Sequence, residues 1–201
     1  ALGIDDSAVT TIHGEAADEN LGLYTYRFGA GDIDGDGKDD LVVGIPTDDE
    51  TGTDAGKIIV YMGTGAFLPT YISETLYGEV AGDRFGESVA VSDVNGDGYA
   101  DVVVGAPYND DGGSNAGKVY VFEGTADGLS TTASHGQYGE SPSNNLGQRL
   151  YSLGDINGDG YGDVYMAGDS SDARIYHGSD SGVTGAADQR WSRTDLEPIG
   201  D

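Results

Sequence analysis

Apolar and polar segments follow one another along this chain in a pattern that occurs three times. In each unit a short apolar run (41–46, 102–107 and 164–169) is followed by a second run (57–61, 118–122 and 174–177), with Gly-, Asp-, Asn- and Ser-containing stretches between them. Val, Ile and Tyr are frequent in the runs, which favours β-strands, and no long stretch shows the apolar spacing of a helix. The pattern predicts an all-β protein with about four short strands in each unit.

The first run of each unit is apolar on both faces, as Val102, Val103 and Val104 illustrate. Such a strand needs cover on both sides, which four-stranded antiparallel sheets provide when they pack face to face as the blades of a β-propeller. We therefore predict a single propeller segment over residues 1–201, with repeats at about 10–72, 73–133 and 134–189 and the start of a fourth unit at 190–201. Glycines at the ends of the runs would let neighbouring blades approach closely.

A nine-residue polar loop precedes the first run of each unit, at 32–40, 93–101 and 155–163, with spacings of 61 and 62 residues. Every copy has Asp or Asn at positions 1, 3, 5 and 9 and Gly at positions 4 and 6. Calcium takes about six to eight oxygen ligands, and a tight glycine turn can direct side chains at alternate positions towards one ion. With the carbonyl of position 7 and the carboxylate of position 9, the loops predict about three calcium ions in a structural role.

The same loop spacing also opens an EF-hand, which needs an acidic residue at position 12 and a following helix. Position 12 is Val43, Val104 or Met166, and strand-like sequence follows, which argues against that motif. A metal-free turn is an alternative for any single loop, because Asp, Asn and Gly are common in turns. Catalysis by the ions is not expected, because hydrolytic metal sites need an open position in a shaped pocket.

The charge of the chain limits the kinds of partner that we expect it to bind. Thirty-six Asp and Glu residues against nine Lys and Arg residues give a net charge of −27, and without a basic tract we expect no nucleic acid or anionic membrane partner. The chain has no cysteines and no apolar run of the length that membrane insertion requires. Its first residues do not resemble a signal peptide, which fits a mature or trimmed chain. Because cytosolic calcium is scarce, acidic calcium loops favour an extracellular or periplasmic location.

No set of catalytic residues is recognisable: the three histidines are scattered, and no nucleophile has a matching His and Asp. Glu15, Glu79 and Glu140 recur at one position of the repeat, which indicates a repeated structural role rather than an active centre. The long loops 47–55 and 108–116 are the better candidates for a rim that faces a protein or glycan partner, because binding residues are commonly placed on loops over a rigid scaffold. Thirteen tyrosines and one tryptophan supply aromatic surface for the glycan alternative.

The middle unit carries Phe85-Gly86, then the loop 93–101, then Gly105-Ala106-Pro107, and it closely resembles the FG-GAP repeat of integrin α-subunit propellers and their microbial relatives. The resemblance covers three units, about residues 10 to 190. It implies that each loop joins the first two strands of a blade and binds calcium, and that seven blades usually close the ring. The ligands that it implies are Asp32, Asp34, Asp36, the Lys38 carbonyl and Asp40; Asp93, Asn95, Asp97, the Tyr99 carbonyl and Asp101; and Asp155, Asn157, Asp159, the Tyr161 carbonyl and Asp163.

The outer units depart from the repeat, since Leu21-Gly22 and Leu146-Gly147 replace Phe-Gly, and Ala167-Gly168-Asp169 replaces Gly-Ala-Pro. Three units are too few for a ring of about four to eight blades, so we expect a segment of a larger propeller or a part that closes by association with another copy. The expected function is that of a calcium-binding, non-catalytic segment of a secreted or cell-surface protein in adhesion or protein interaction. A carbohydrate-binding propeller and the scaffold portion of a secreted enzyme are the alternatives.

Overall fold

The structure, a computed structural model, describes residues 25–65, 72–168, 173–183 and 189–191. These residues form three antiparallel four-stranded sheets, one two-stranded hairpin and a single 3-10 turn at Thr25–Arg27. The first sheet contains β1 (Phe28–Gly31), β2 (Asp40–Ile45), β3 (Lys57–Tyr61) and β4 (Ile72–Tyr77) in that order. The second contains β5 (Ser88–Ser92), β6 (Asp101–Ala106), β7 (Lys118–Phe122) and β10 (His135–Tyr138), and the hairpin of β8 (Gly124–Thr125) and β9 (Gly128–Leu129) lies between β7 and β10 in the chain. The third contains β11 (Arg149–Gly154), β12 (Asp163–Ala167), β13 (Ala173–Tyr176) and β14 (Gln189–Trp191). The prediction of an all-β chain built from four-stranded antiparallel blades is confirmed.

The three sheets stack in chain order, because β1 contacts β5 and β5 contacts β11. One apolar cluster fills the space between the first and second sheets and includes Val102 and Val104 of β6. A second cluster fills the space between the second and third sheets and includes Val103 of β6. All three valines are fully buried, so the run that does not alternate with polar residues belongs to a strand with a sheet on each side.

Glycines bring successive sheets into backbone contact. A Cβ atom on Gly105, at the end of β6, would overlap the carbonyl oxygen of Gly147 in the third unit. A Cβ atom on Gly44, at the end of β2, would likewise overlap the carbonyl oxygen of Gly86 in the second unit. The glycine that ends the second strand of one blade, in Gly-Ile-Pro or Gly-Ala-Pro, therefore meets the Phe-Gly or Leu-Gly glycine of the next blade. This is the close approach expected from the sequence.

The sheets are offset from the repeat boundaries drawn on the sequence. Residues 73–77 belong to the second predicted repeat but lie in β4 of the first sheet. Likewise, residues 135–138 belong to the third predicted repeat but lie in β10 of the second sheet. Trp191 pairs with Ala173 in the third sheet, so 190 and 191 do not open a fourth unit; residues 192–201 lie outside the described residues. A sequence repeat has the same period wherever its first residue is chosen, whereas strand pairing determines where each sheet begins and ends.

We predict that Gly105→Ala lowers the free energy of unfolding by about 1–3 kcal/mol, because the new methyl group has to push two sheets apart. Gly136→Ala in β10 is the matched control, since the nearest atom to its Cβ is Lys118 Cε at 3.5 Å, and it is expected to change stability by no more than about 0.5 kcal/mol. Urea denaturation measures both. An equal effect of the two substitutions would contradict close packing at Gly105.

Candidate metal centres

Each nine-residue loop connects the first two strands of one sheet: 32–40 joins β1 to β2, 93–101 joins β5 to β6, and 155–163 joins β11 to β12. The glycines at positions 4 and 6 have positive φ angles in all three loops, for example 73° at Gly96 and 91° at Gly98. A side chain is disfavoured in this left-handed region, so the glycines allow the loop to turn around its own carboxylates.

The acidic residue at position 9 is buried in every loop, and the exposure of Asp40, Asp101 and Asp163 is 1%, 0% and 0%. One carboxylate oxygen accepts a hydrogen bond from the backbone amide of position 2, which lies 3.0 Å away at Val94. The other oxygen accepts from the amide of a glycine that follows the third strand, at 3.1 Å for Gly124. The corresponding pairs are Ile33 and Gly63 with Asp40, and Ile156 and Gly178 with Asp163.

This carboxylate therefore ties the metal loop to the end of the third strand, a role that the sequence analysis did not identify. The recurring glycines at 63, 124 and 178 are the signal that could have indicated it. Burial raises the pKa of Asp101 to about 7, although its two backbone hydrogen bonds oppose the shift. Burial also raises the pKa of Asp40. A nearby cation would favour the ionised form of either group.

The carboxylate at position 1 is used differently in the first loop than in the other two. Asp93 accepts three backbone hydrogen bonds, from Gly96 at 2.7 Å, Asp97 at 3.2 Å and Gly98 at 3.0 Å, and Asp155 repeats this arrangement in the third loop. The Gly160, Gly158 and Asp159 amides lower the pKa of Asp155. In these two loops the first carboxylate organises the turn.

In the first loop Asp32 accepts a hydrogen bond from the Gly37 amide at 2.9 Å. Its Oδ1 atom is buried and has no hydrogen-bond partner among the residues that the structure describes. One carboxylate oxygen from each of Asp32, Asp34 and Asp40 lies within 4.8 Å of the others. Among the described residues this is the group whose acidic side chains converge as cation ligands do. The buried Asp32 oxygen fits the role of a cation ligand, because a buried acceptor without a partner is otherwise costly.

The remaining predicted ligands occupy exposed parts of the loops. Asp36 forms an ion pair with Lys38, whose hydrogen bond lowers the pKa of that carboxyl group. Asn95 and Asn157 donate hydrogen bonds to the carboxylates of Asp97 and Asp159, at 3.0 and 2.8 Å. Thus three of the five ligands predicted for the first loop lie close together in the structure. In the second and third loops, the side chains at positions 1, 3 and 5 form hydrogen bonds within their own loop.

Position 7 has a second role that sequence reasoning missed. A Cβ atom on Gly35 would meet the Tyr99 ring at 2.8 Å, and one on Gly96 would meet the Tyr161 ring at 2.8 Å. The tyrosine of one loop thus packs on the first glycine of the preceding loop. The Ala100 amide also donates to the Asp32 carbonyl at 2.8 Å, so neighbouring loops support one another.

The two long loops predicted as a partner-facing rim lie at the opposite end of β2 and β6 from the metal loops. Residues from both loops and from the segment before β5 line a groove of about 550 Å³. Within it the Arg84 guanidinium lies 5.1 Å from the centre of the Tyr108 ring. Asp54, Asp83, Asp110 and Asp111 make the rest of the groove acidic.

Comparison with known proteins agrees with this geometry. The family model for the FG-GAP repeat matches residues 24–61 and 85–122. Integrin alpha-PS2 of Drosophila melanogaster is 35% identical over 182 residues, which cover 84% of this chain and 12% of the relative. Integrin alpha-4 of Xenopus laevis is 35% identical over 174 residues, which cover 82% of this chain and 16% of the relative. The chain thus spans a small part of these proteins.

No helix in the described part of the chain has the length and apolar character that a membrane-spanning helix requires.

We predict that Asp101→Ala lowers the free energy of unfolding by about 2–4 kcal/mol in the presence of a chelator, because two backbone amides lose their shared acceptor. Asp97→Ala in the same loop removes an exposed carboxylate and is expected to cost clearly less. Urea denaturation in EDTA measures both variants. If the two substitutions cost the same, the buried carboxylate would not be the tie between the loop and the third strand.

Proposed function

The chain belongs to the proteins built from FG-GAP repeats, and from that premise we propose that it is a calcium-binding, non-catalytic propeller segment that a secreted or cell-surface protein uses in adhesion or protein interaction. The observation that carries the proposal is the convergence of Asp32, Asp34 and Asp40 within 4.8 Å, together with a buried Asp32 oxygen that has no hydrogen-bond partner in the described part of the chain. Hard oxygen ligands in a glycine-rich loop suit calcium.

Calcium occupies all three loops in this proposal, with the side chains at positions 1, 3, 5 and 9 and the carbonyl at position 7 as ligands. The second and third loops have the same positive-φ glycines and the same buried last carboxylate as the first. An ion would replace the hydrogen bonds between the Asn and Asp side chains within these loops. It would also relieve the repulsion among the carboxylates of each loop, so that it stabilises the folded form.

We predict that calorimetric titration of the chelator-treated chain with calcium gives close to three sites and that calcium raises the melting temperature. Asp32→Ala and Asp93→Ala should each remove one site, because each deletes the first ligand of one loop. Asp127→Asn removes an exposed charge outside the loops and serves as the control, with the site number unchanged. The proposal would be contradicted if titration of the unsubstituted chain with calcium released or absorbed no binding heat.

The groove between the long loops is the proposed contact for a protein partner. Its position at the far end of the sheets from the metal loops lets the cations stabilise the scaffold without obstructing the partner. The ring of Tyr108 and the guanidinium group of Arg84 line this groove. Tyr and Arg are both enriched at protein interfaces. The relatives are named as integrin alpha subunits, which supports a role in adhesion.

We predict that the labelled, calcium-loaded chain binds ligands on an array of extracellular proteins and that Tyr108→Ala weakens this binding at least about tenfold, as expected for a central aromatic contact. Asp127→Asn should leave the binding unchanged. A glycan array probed in parallel tests the carbohydrate alternative: binding to glycans but not to proteins would replace the proposed function. If Tyr108→Ala binds as tightly as the unsubstituted chain, the groove is excluded as the contact.

A further inference from the structure

A cavity of about 330 Å³ lies between the first and second sheets, separate from the metal loops and from the groove. Three aromatic side chains form much of its wall: the Phe85 ring lies edge-on to Tyr120 at 5.3 Å and to Phe122 at 6.0 Å. Leu76 adds an apolar contact and the exposed Glu79 adds a carboxylate. Tyr77, Thr131 and Thr132 also line the cavity. It therefore combines aromatic walls with several hydroxyl groups and one carboxylate.

The junction between the second and third sheets can be compared with this one, because strand pairing identifies the side chain that corresponds to Tyr120. Tyr120 pairs with Val104 in the second sheet, and Arg174 pairs with Met166 in the third. Val104 and Met166 both stand three residues after the last aspartate of a metal loop, so Arg174 is the counterpart of Tyr120.

Glu140 is likewise the counterpart of Glu79, since both follow the glycine after the fourth strand. Arg174 is 2% exposed, and its Nη1 atom lies 3.4 Å from Glu140 Oε1. At the second junction a buried guanidinium thus fills the space beside this glutamate.

At the first junction the glutamate is retained and the guanidinium is absent. Within the described residues no basic side chain lies within ion-pair distance of Glu79. The ammonium group of Lys118 has other partners: its Nζ atom pairs with Asp111 at 3.0 Å and lies 4.4 Å from the centre of the Tyr120 ring. Lys118 does not line the cavity, so its ammonium group does not take the place that Arg174 has at the other junction.

We propose that this cavity binds a guanidinium group on a short apolar stem, with Glu79 as its ion-pair partner and the rings of Phe85 and Phe122 against its planar face and stem. A planar, weakly hydrated cation stacks on aromatic rings better than an ammonium group does, and its fork pairs with a carboxylate. The volume lies at the lower end of the range for small-ligand sites. The site is independent of the metal loops, so it does not rest on calcium binding.

The test is calorimetric or NMR titration of the calcium-loaded chain with butylguanidinium, and with butylurea as the uncharged analogue of the same shape. Saturable binding of butylguanidinium is expected, with at least a tenfold preference over butylurea. Glu79→Gln should weaken it at least tenfold, whereas Asp127→Asn, which removes an equal charge at an exposed site, should leave it within twofold. Tyr120→Arg should abolish binding, because the new side chain supplies the guanidinium internally.

The two sources of this group are separated by a second ligand, the peptide acetyl-Ala-Arg-Ala-amide. Binding of the peptide that is sensitive to Glu79→Gln assigns the site to an arginine side chain of a protein partner, and binding of butylguanidinium alone assigns it to a free small cation. The proposal is overturned if neither ligand binds saturably, if butylurea binds equally well, or if Glu79→Gln has no more effect than Asp127→Asn. Glu79→Gln decides the result by itself if Tyr120→Arg does not fold.

Discussion

The face-to-face packing of successive sheets is the constraint on which the rest of this structure depends. A strand such as β6 has no solvent-facing side, so Val102, Val103 and Val104 are all fully buried. Burial of apolar area on both faces is the main stabilising contribution available to such a small sheet. It requires that the backbones meet at Gly105 and Gly147, where no Cβ atom fits.

Polar contacts between sheets accompany this packing and differ from one junction to the next. At the first junction Arg27 pairs with Glu87 at 2.9 Å, and both side chains are nearly buried. At the second junction the Ser88 hydroxyl donates to the Gly147 carbonyl at 2.6 Å. A buried ion pair adds little net free energy, because the desolvation of both charges offsets their attraction. The junctions therefore share an apolar plan but differ in the chemistry at their edges, as the aromatic cavity and the Arg174 ion pair also illustrate.

The metal loops depend on the same packing. Their last carboxylate is held in the interior by two backbone amides, and their tyrosines pack on the glycine of the preceding loop. The aliphatic residue at position 2 of a loop is buried where a following sheet packs against it. Ile33 and Val94 are 0% and 1% exposed, whereas Ile156 in the third sheet is 51% exposed. A loop that reads as an isolated ion-binding motif is thus a joint between neighbouring blades, and ion binding and blade packing are expected to be coupled.

The sequence by itself determined the fold class, the number of repeats and the positions of the loops, because these follow from local patterns: apolar runs, glycine turns and acidic residues at fixed spacing. Tertiary structure decided what depends on partners far apart in the chain. Strand pairing placed residues 73–77 in the first sheet, and packing made Asp101 a backbone acceptor as well as a candidate ligand. The relation between Tyr120 and Arg174 also emerged only from the strand register. Spacing along a chain does not specify which faces meet across two sheets, and it is that meeting which buries a carboxylate or leaves a cavity.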